Sequence, residues 1–161
     1  MNKELLGNAT IFRHACDILT QRMNDGTTAL GSGNLERENV LNSTLVVPII
    51  VNASFACELF LKSILPDGTH GHELDKLFSK LDQDSKDEIM GYTVLIMSCS
   101  NPDYTSECFW NDLKNSSNNF VEWRYFHEGH SQKANLQFIT TFLDVLTQIA
   151  SRRKTQDDSS Q

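Results

Sequence analysis

Apolar residues in this chain recur three and four positions apart. Leu5, Leu6, Ala9, Phe12, Ala15, Cys16, Leu19 and Met23 keep that spacing, which places them on one face of a helix. They predict an amphipathic helix over 2–23, stopped by Asp25 and Gly26. Gly26, Gly31 and Gly33 sit among threonine and serine and predict a loop to 34; no strand precedes it and no lysine follows at phosphate-loop spacing. A second helix is predicted to start between Asn42 and Thr44. It carries Pro48 in its first turns, where a missing amide costs least, and ends at Leu65 before Pro66, Asp67 and Gly68. Its apolar residues lie on nearly every side, so it is expected at the centre of the fold.

Leu74, Leu77, Phe78 and Leu81 predict a short amphipathic helix, and Asp84 or Ser85 is expected to cap another that carries Ile89, Met90, Val94, Leu95 and Met97. Asn101, Pro102 and Asp103 make a turn before a short helical segment with Cys108, Phe109, Trp110 and Leu113. Residues 115–119 are polar enough for a loop, and Leu136, Phe138, Ile139, Phe142, Leu143, Leu146 and Ile149 mark a last long helix. No alternating β-branched run appears. The expected fold is all-α, an up-and-down bundle of four main helices with short accessory helices. It forms one domain over 1–152, followed by a charged, disordered tail over 153–161.

Composition supports a single folded domain: 161 residues, 39% hydrophobic and 22% charged, suffice for a core without disulfides. Cys16, Cys57, Cys99 and Cys108 form no CxxC pair and are expected as small buried apolar side chains. The first residues lack the basic, apolar and small-residue order of a secretion signal. With free thiols, this predicts a cytoplasmic protein. Only 45–65 approaches membrane-spanning length, and it contains Glu58 and Lys62, each costing roughly several kcal/mol in lipid. A core helix is expected there, with no membrane partner. The net charge of −7 argues against general affinity for nucleic acid, which needs a positive surface. Any RNA contact must come from a few arginines and lysines in a local cleft.

Glu58 lies on a helix whose other faces are apolar, and an unpaired buried carboxylate is costly. Its partner is either Lys62, one turn later in the favourable acid-before-base order, or Arg124, whose guanidinium suits a desolvated bidentate pair. The pair serves either as a structural tie or as part of an acid-base site. His70 and His72 flank Gly71 just before a helix, where they are expected to serve exposed amides. Neither they nor His127 and His130 have an obvious third ligand, so no metal and no cofactor is expected. The stretch FVEWRYFHEGH, residues 120–130, gathers an arginine, two histidines, two glutamates and four aromatics. A histidine moves protons near neutral pH and an arginine offers a fork of donors to phosphate. Arg124 with His127 or His130 therefore has the residue types for phosphodiester cleavage without a metal. The same stretch also fits a helix junction in which Trp123, Tyr125 and Phe126 pack while Arg124 pairs with Glu122 or Glu128.

ACELFLKSIL, then GHELDKLF, then WRYFHE ahead of a last helix occur in an order and spacing that resembles the HEPN (higher eukaryotes and prokaryotes nucleotide-binding) domains, over about residues 40–150. The resemblance implies a four-helix up-and-down bundle that commonly dimerises. In many members the dimer builds a metal-independent RNase site from an Arg, four to six intervening residues and a His. Arg124 and His130, with five residues between them, match that pattern. Arg124 would bind the phosphate and its transition state, and His130 would act as general acid and base. His127 fits less well, and Glu58 joins them as the carboxylate of the site. The implied function is a homodimeric endoribonuclease of a toxin or phage-defence type, acting on RNA. The alternative is a non-catalytic helical module that binds a nucleotide or a partner protein, such as a nucleotidyltransferase-like antitoxin.

Overall fold

The computed structural model describes residues 1–123 and 134–159, and every regular element among them is a helix. α1 (Lys3–Gly31) starts at Asn2, whose side chain accepts from the Leu5 amide and so satisfies one of the free donors at the helix start. The predicted stop at Asp25 and Gly26 is absent. Gly26 is instead buried against α2 (Arg37–Ser43), where an added Cβ would meet Asn39 O, Asn42 Cβ and Ser43 N, each at 2.8 Å. Glycine there permits close backbone approach rather than ending the helix. α2 buries none of its own side chains, and without an apolar stripe it left no periodic signal to read.

α3 (Val46–Ile64) occupies the centre, as its all-round apolar character predicts, with Pro48 in its first turn. α1 and α8 (Leu136–Ser159) pack on α3, and α5 (Gln83–Ser100) packs on α8. Ile49, Phe60 and Leu61 of α3 are sealed from solvent, each contributing about 1.5–3 kcal/mol by burial. α3 is long and apolar enough to cross a membrane, but 61% of its most apolar window is buried by the other helices. α4 (Leu74–Ser79) and α6 (Ser106–Asn115) close the core with an aromatic cluster: Phe78, Phe109, Phe138 and Phe142 are fully buried, with ring centroids 5.4 to 6.1 Å apart. Most of these pairs meet edge to face or tilted, the arrangement that ring quadrupoles favour, while Phe138 and Phe142 stack.

Two helix ends differ from expectation. α5 is capped by Asp82, which accepts from the Ser85 amide at 2.8 Å and from the Ser85 hydroxyl, so the helix begins earlier than Asp84. α8 continues to Ser159, through most of the predicted tail. Its charged end is held by Arg152 on Glu88 at 2.7 Å, Arg153 on the Ser85 hydroxyl at 2.7 Å and Lys3 on Asp158 at 2.9 Å. Cys16 and Cys57 are buried as expected, whereas Cys99 is exposed and Cys108 half-buried on the outer sides of α5 and α6.

Candidate functional site

The Glu58 side chain is 2% exposed, and Lys62 donates to its Oε1 at 2.7 Å. The pairing follows from helix geometry, since residues four apart lie one turn apart on the same face. Lys62 keeps 15% of its side chain in solvent, enough to leave the ammonium partly hydrated while its stem covers apolar surface. A second group reaches the same oxygen: His72 Nδ1 lies 3.0 Å from Glu58 Oε1. An ionised carboxylate only accepts, so that ring nitrogen donates, and in the neutral ring the lone pair then sits on Nε2. The His72 side chain is 61% exposed, and the ring is anchored at one nitrogen with the rest of it in solvent.

This contact depends on the loop between α3 and α4. Pro66 ends α3, Gly68 has φ +80° and Gly71 has φ +113°, conformations in which any side chain is strained. Gly71 turns the chain so that the next residue reaches back to Glu58. The predicted role of His72 as a helix-start cap is not observed, because the α4 amides are served from elsewhere. Ser117, in the turn after α6, accepts from the Leu74 amide through its carbonyl at 3.1 Å and from the Asp75 amide through its hydroxyl at 3.3 Å. His70 instead offers its carbonyl to Lys80 at 3.1 Å. The GHE step shortly after a Pro-Asp-Gly turn, 14 residues beyond Glu58, was the available signal for His72.

α7 (Asn119–Glu122) itself packs on α3, with Phe120 stacked on Phe55 at 4.4 Å and Phe55 edge-on to Phe12 at 4.6 Å. Residues 115–119, predicted as an open loop, include Ser116, Ser117 and Asn119 in buried positions. Six buried polar atoms have no hydrogen-bond partner among the described residues: Ser54 Oγ, Glu58 Oε2, Ser116 Oγ, both ends of the Asn119 amide and Trp123 Nε1. All belong to α3 or to residues 116–123, and α7 packs directly on α3. Leaving a buried polar group unpaired costs about 1–3 kcal/mol. Arg124, His127 and His130 lie outside the described residues, as do Tyr125, Phe126 and Glu128. Among the described residues, no three His, Cys, Asp or Glu side chains gather as a metal centre requires.

The fold and site thus define an all-helical protein carrying a buried glutamate clasped by a lysine and an exposed histidine. Compared with protein-family models, curated proteins and solved structures, the chain shows no match.

Proposed function

We propose that this chain is a HEPN-like four-helix up-and-down bundle acting as a homodimeric, metal-independent endoribonuclease of a toxin or phage-defence type. The observation that carries the reading is Glu58: a carboxylate almost fully withdrawn from water, balanced by Lys62, with one oxygen unclaimed among the described residues. A stability-driven core would hold an apolar residue at such a position, because a buried ion pair rarely outperforms a hydrophobic one. Trp123, bonded directly to Arg124 in the chain, has a buried indole nitrogen without a partner among the described residues, next to the α7 turn that stacks on α3. In this reading Arg124 binds the phosphate and stabilises its developing charge, and His130 moves protons, with His127 as the nearer alternative. RNA lies in a cleft shared by the two protomers, where local arginines and lysines offset the acidic remainder.

A second reading, a non-catalytic module binding a nucleotide or a partner protein such as a nucleotidyltransferase-like antitoxin, is favoured by one feature. Tyr92, Leu95 and Ile96 form an exposed apolar stripe on α5, the i, i+3, i+4 pattern of a helix face that meets another protein. RNA cleavage in the presence of a chelator separates the two. Cutting by the wild type that falls by about a hundredfold in Arg124→Ala and His130→Ala supports the nuclease. Absence of cutting, or cutting that survives both substitutions, defeats it. Slowed growth of the expressing host is the matching cellular readout.

A further inference from the structure

We infer that His72 is an acid-base group of this site, oriented by Glu58 and acting on the 2′-hydroxyl of an RNA phosphodiester. The inference rests on the ribonuclease reading and adds a residue that neither the motif spacing nor the family resemblance assigns. Three features carry it. His72 Nδ1 donates to Glu58 Oε1 at 3.0 Å, which orients the ring and, in its neutral form, favours the tautomer with the lone pair on Nε2. The carboxylate that does this is itself immobile, 2% exposed and tied by Lys62 at 2.7 Å, so the ring is held from a rigid helix rather than from its own loop. The imidazole remains 61% exposed, and a substrate can reach it.

Charge around the ring suits an anionic substrate better than the −7 of the whole chain suggests. Lys62 pairs with Glu58, Lys76 with Glu73 at 2.5 Å, and Lys80 is held at the carbonyl of His70, two residues before His72 in the chain. A phosphate approaching Nε2 therefore meets a carboxylate already paired with Lys62 rather than a bare one.

The step balances without a metal or any co-reactant. Nε2 takes the 2′-hydroxyl proton, the 2′ oxygen forms a bond to phosphorus, and the bond from phosphorus to the 5′ oxygen breaks. The leaving 5′ oxygen takes up one proton from the imidazolium or from water, giving a 2′,3′-cyclic phosphate and a free 5′-hydroxyl. Glu58 does not touch substrate in this scheme and is a positioning residue.

The test combines a spectroscopic readout with cleavage. A long-range proton-nitrogen spectrum of the folded protein should show His72 as the Nδ1-protonated tautomer when neutral, and that preference should fade in Glu58→Gln. His72→Ala changes an exposed side chain and should leave the fold intact. It should lower single-turnover cleavage of a short RNA in chelator by about a hundredfold, with Glu58→Gln intermediate and Glu58→Asp closer to wild type. An Nε2-protonated tautomer, or wild-type rates in His72→Ala while His130→Ala is inactive, overturns the inference and leaves the ribonuclease reading standing. No cutting by the wild type overturns both, a pattern distinguishable from the first.

Discussion

Removing one end of the Glu58–Lys62 pair should cost far more stability than removing the other. In Lys62→Met the carboxylate stays in place, 2% exposed, with His72 as its remaining partner on Oε1 and none on Oε2 among the described residues. Breaking a buried ion pair in this way costs about 3–5 kcal/mol. Lys62 keeps 15% exposure and His72 stays bound, so the loss should fall near the low end, about 3 kcal/mol. Glu58→Leu removes the deeper charge and leaves a lysine whose flexible stem can carry its ammonium out to water, so it should change stability by no more than about 1 kcal/mol. Urea unfolding followed by circular dichroism reads both. With a slope of about 1–3 kcal/mol per molar, the Lys62→Met midpoint should drop by about 1–3 M and the Glu58→Leu midpoint should move by no more than a third of that. A stable Glu58→Leu protein that no longer cleaves RNA would show a carboxylate kept for activity rather than for stability. The reasoning is refuted if Glu58→Leu loses 2 kcal/mol or more while Lys62→Met is neutral, because the glutamate would then be a structural staple.

Other outcomes follow from single features. Gly26→Ala should destabilise by about 1–2 kcal/mol, since overpacking against α2 exceeds the helix-propensity gain of about 1 kcal/mol. Gly7→Ala, in the same helix with nothing within 4 Å of the added carbon, should gain about that amount, and equal unfolding midpoints for the two would contradict the packing argument. Native thiol titration should find Cys99 reacting fast, whereas Cys57, whose thiol pKa is pushed well up by burial, should react only on unfolding. Rapid labelling of Cys57 in the folded state would show that the core opens. The Asp82 carboxyl is held below its ordinary value of 3.8 by hydrogen bonds from the Ser85 hydroxyl and amide. Its stabilising contribution is therefore complete above that pH and fades as pH falls through the lowered value. Asp82→Asn should flatten this part of the acid limb, and an unchanged acid limb would exclude Asp82 as its source.

Much of the site's first half was legible in local order. Glu58 among apolar neighbours predicts burial, and the order offers two partners, Lys62 one turn later and Arg124; the burial and the Lys62 pair are found, and Arg124 lies outside the described residues. His72 was assigned to helix capping because histidines before a helix commonly meet free amides. Ser117, 43 residues after Leu74, serves those amides instead and leaves the ring for Glu58. Gly26 reads as a stop because glycine often ends helices, yet its missing side chain accommodates a neighbouring helix that has no apolar stripe to announce it.

By itself the amino-acid order determined that the chain is helical, which stripes are apolar, and which residues one turn apart pair, because a helix converts spacing of three or four directly into contact. Tertiary structure alone decided that His72 meets Glu58, that Ser116, Ser117 and Asn119 are buried, and that Phe120 stacks on Phe55. Those contacts join residues separated by loops, and their geometry is set by the positive φ of Gly71 and by the packing of α7 on α3. A pattern with a period of 3.6 residues carries no information about either.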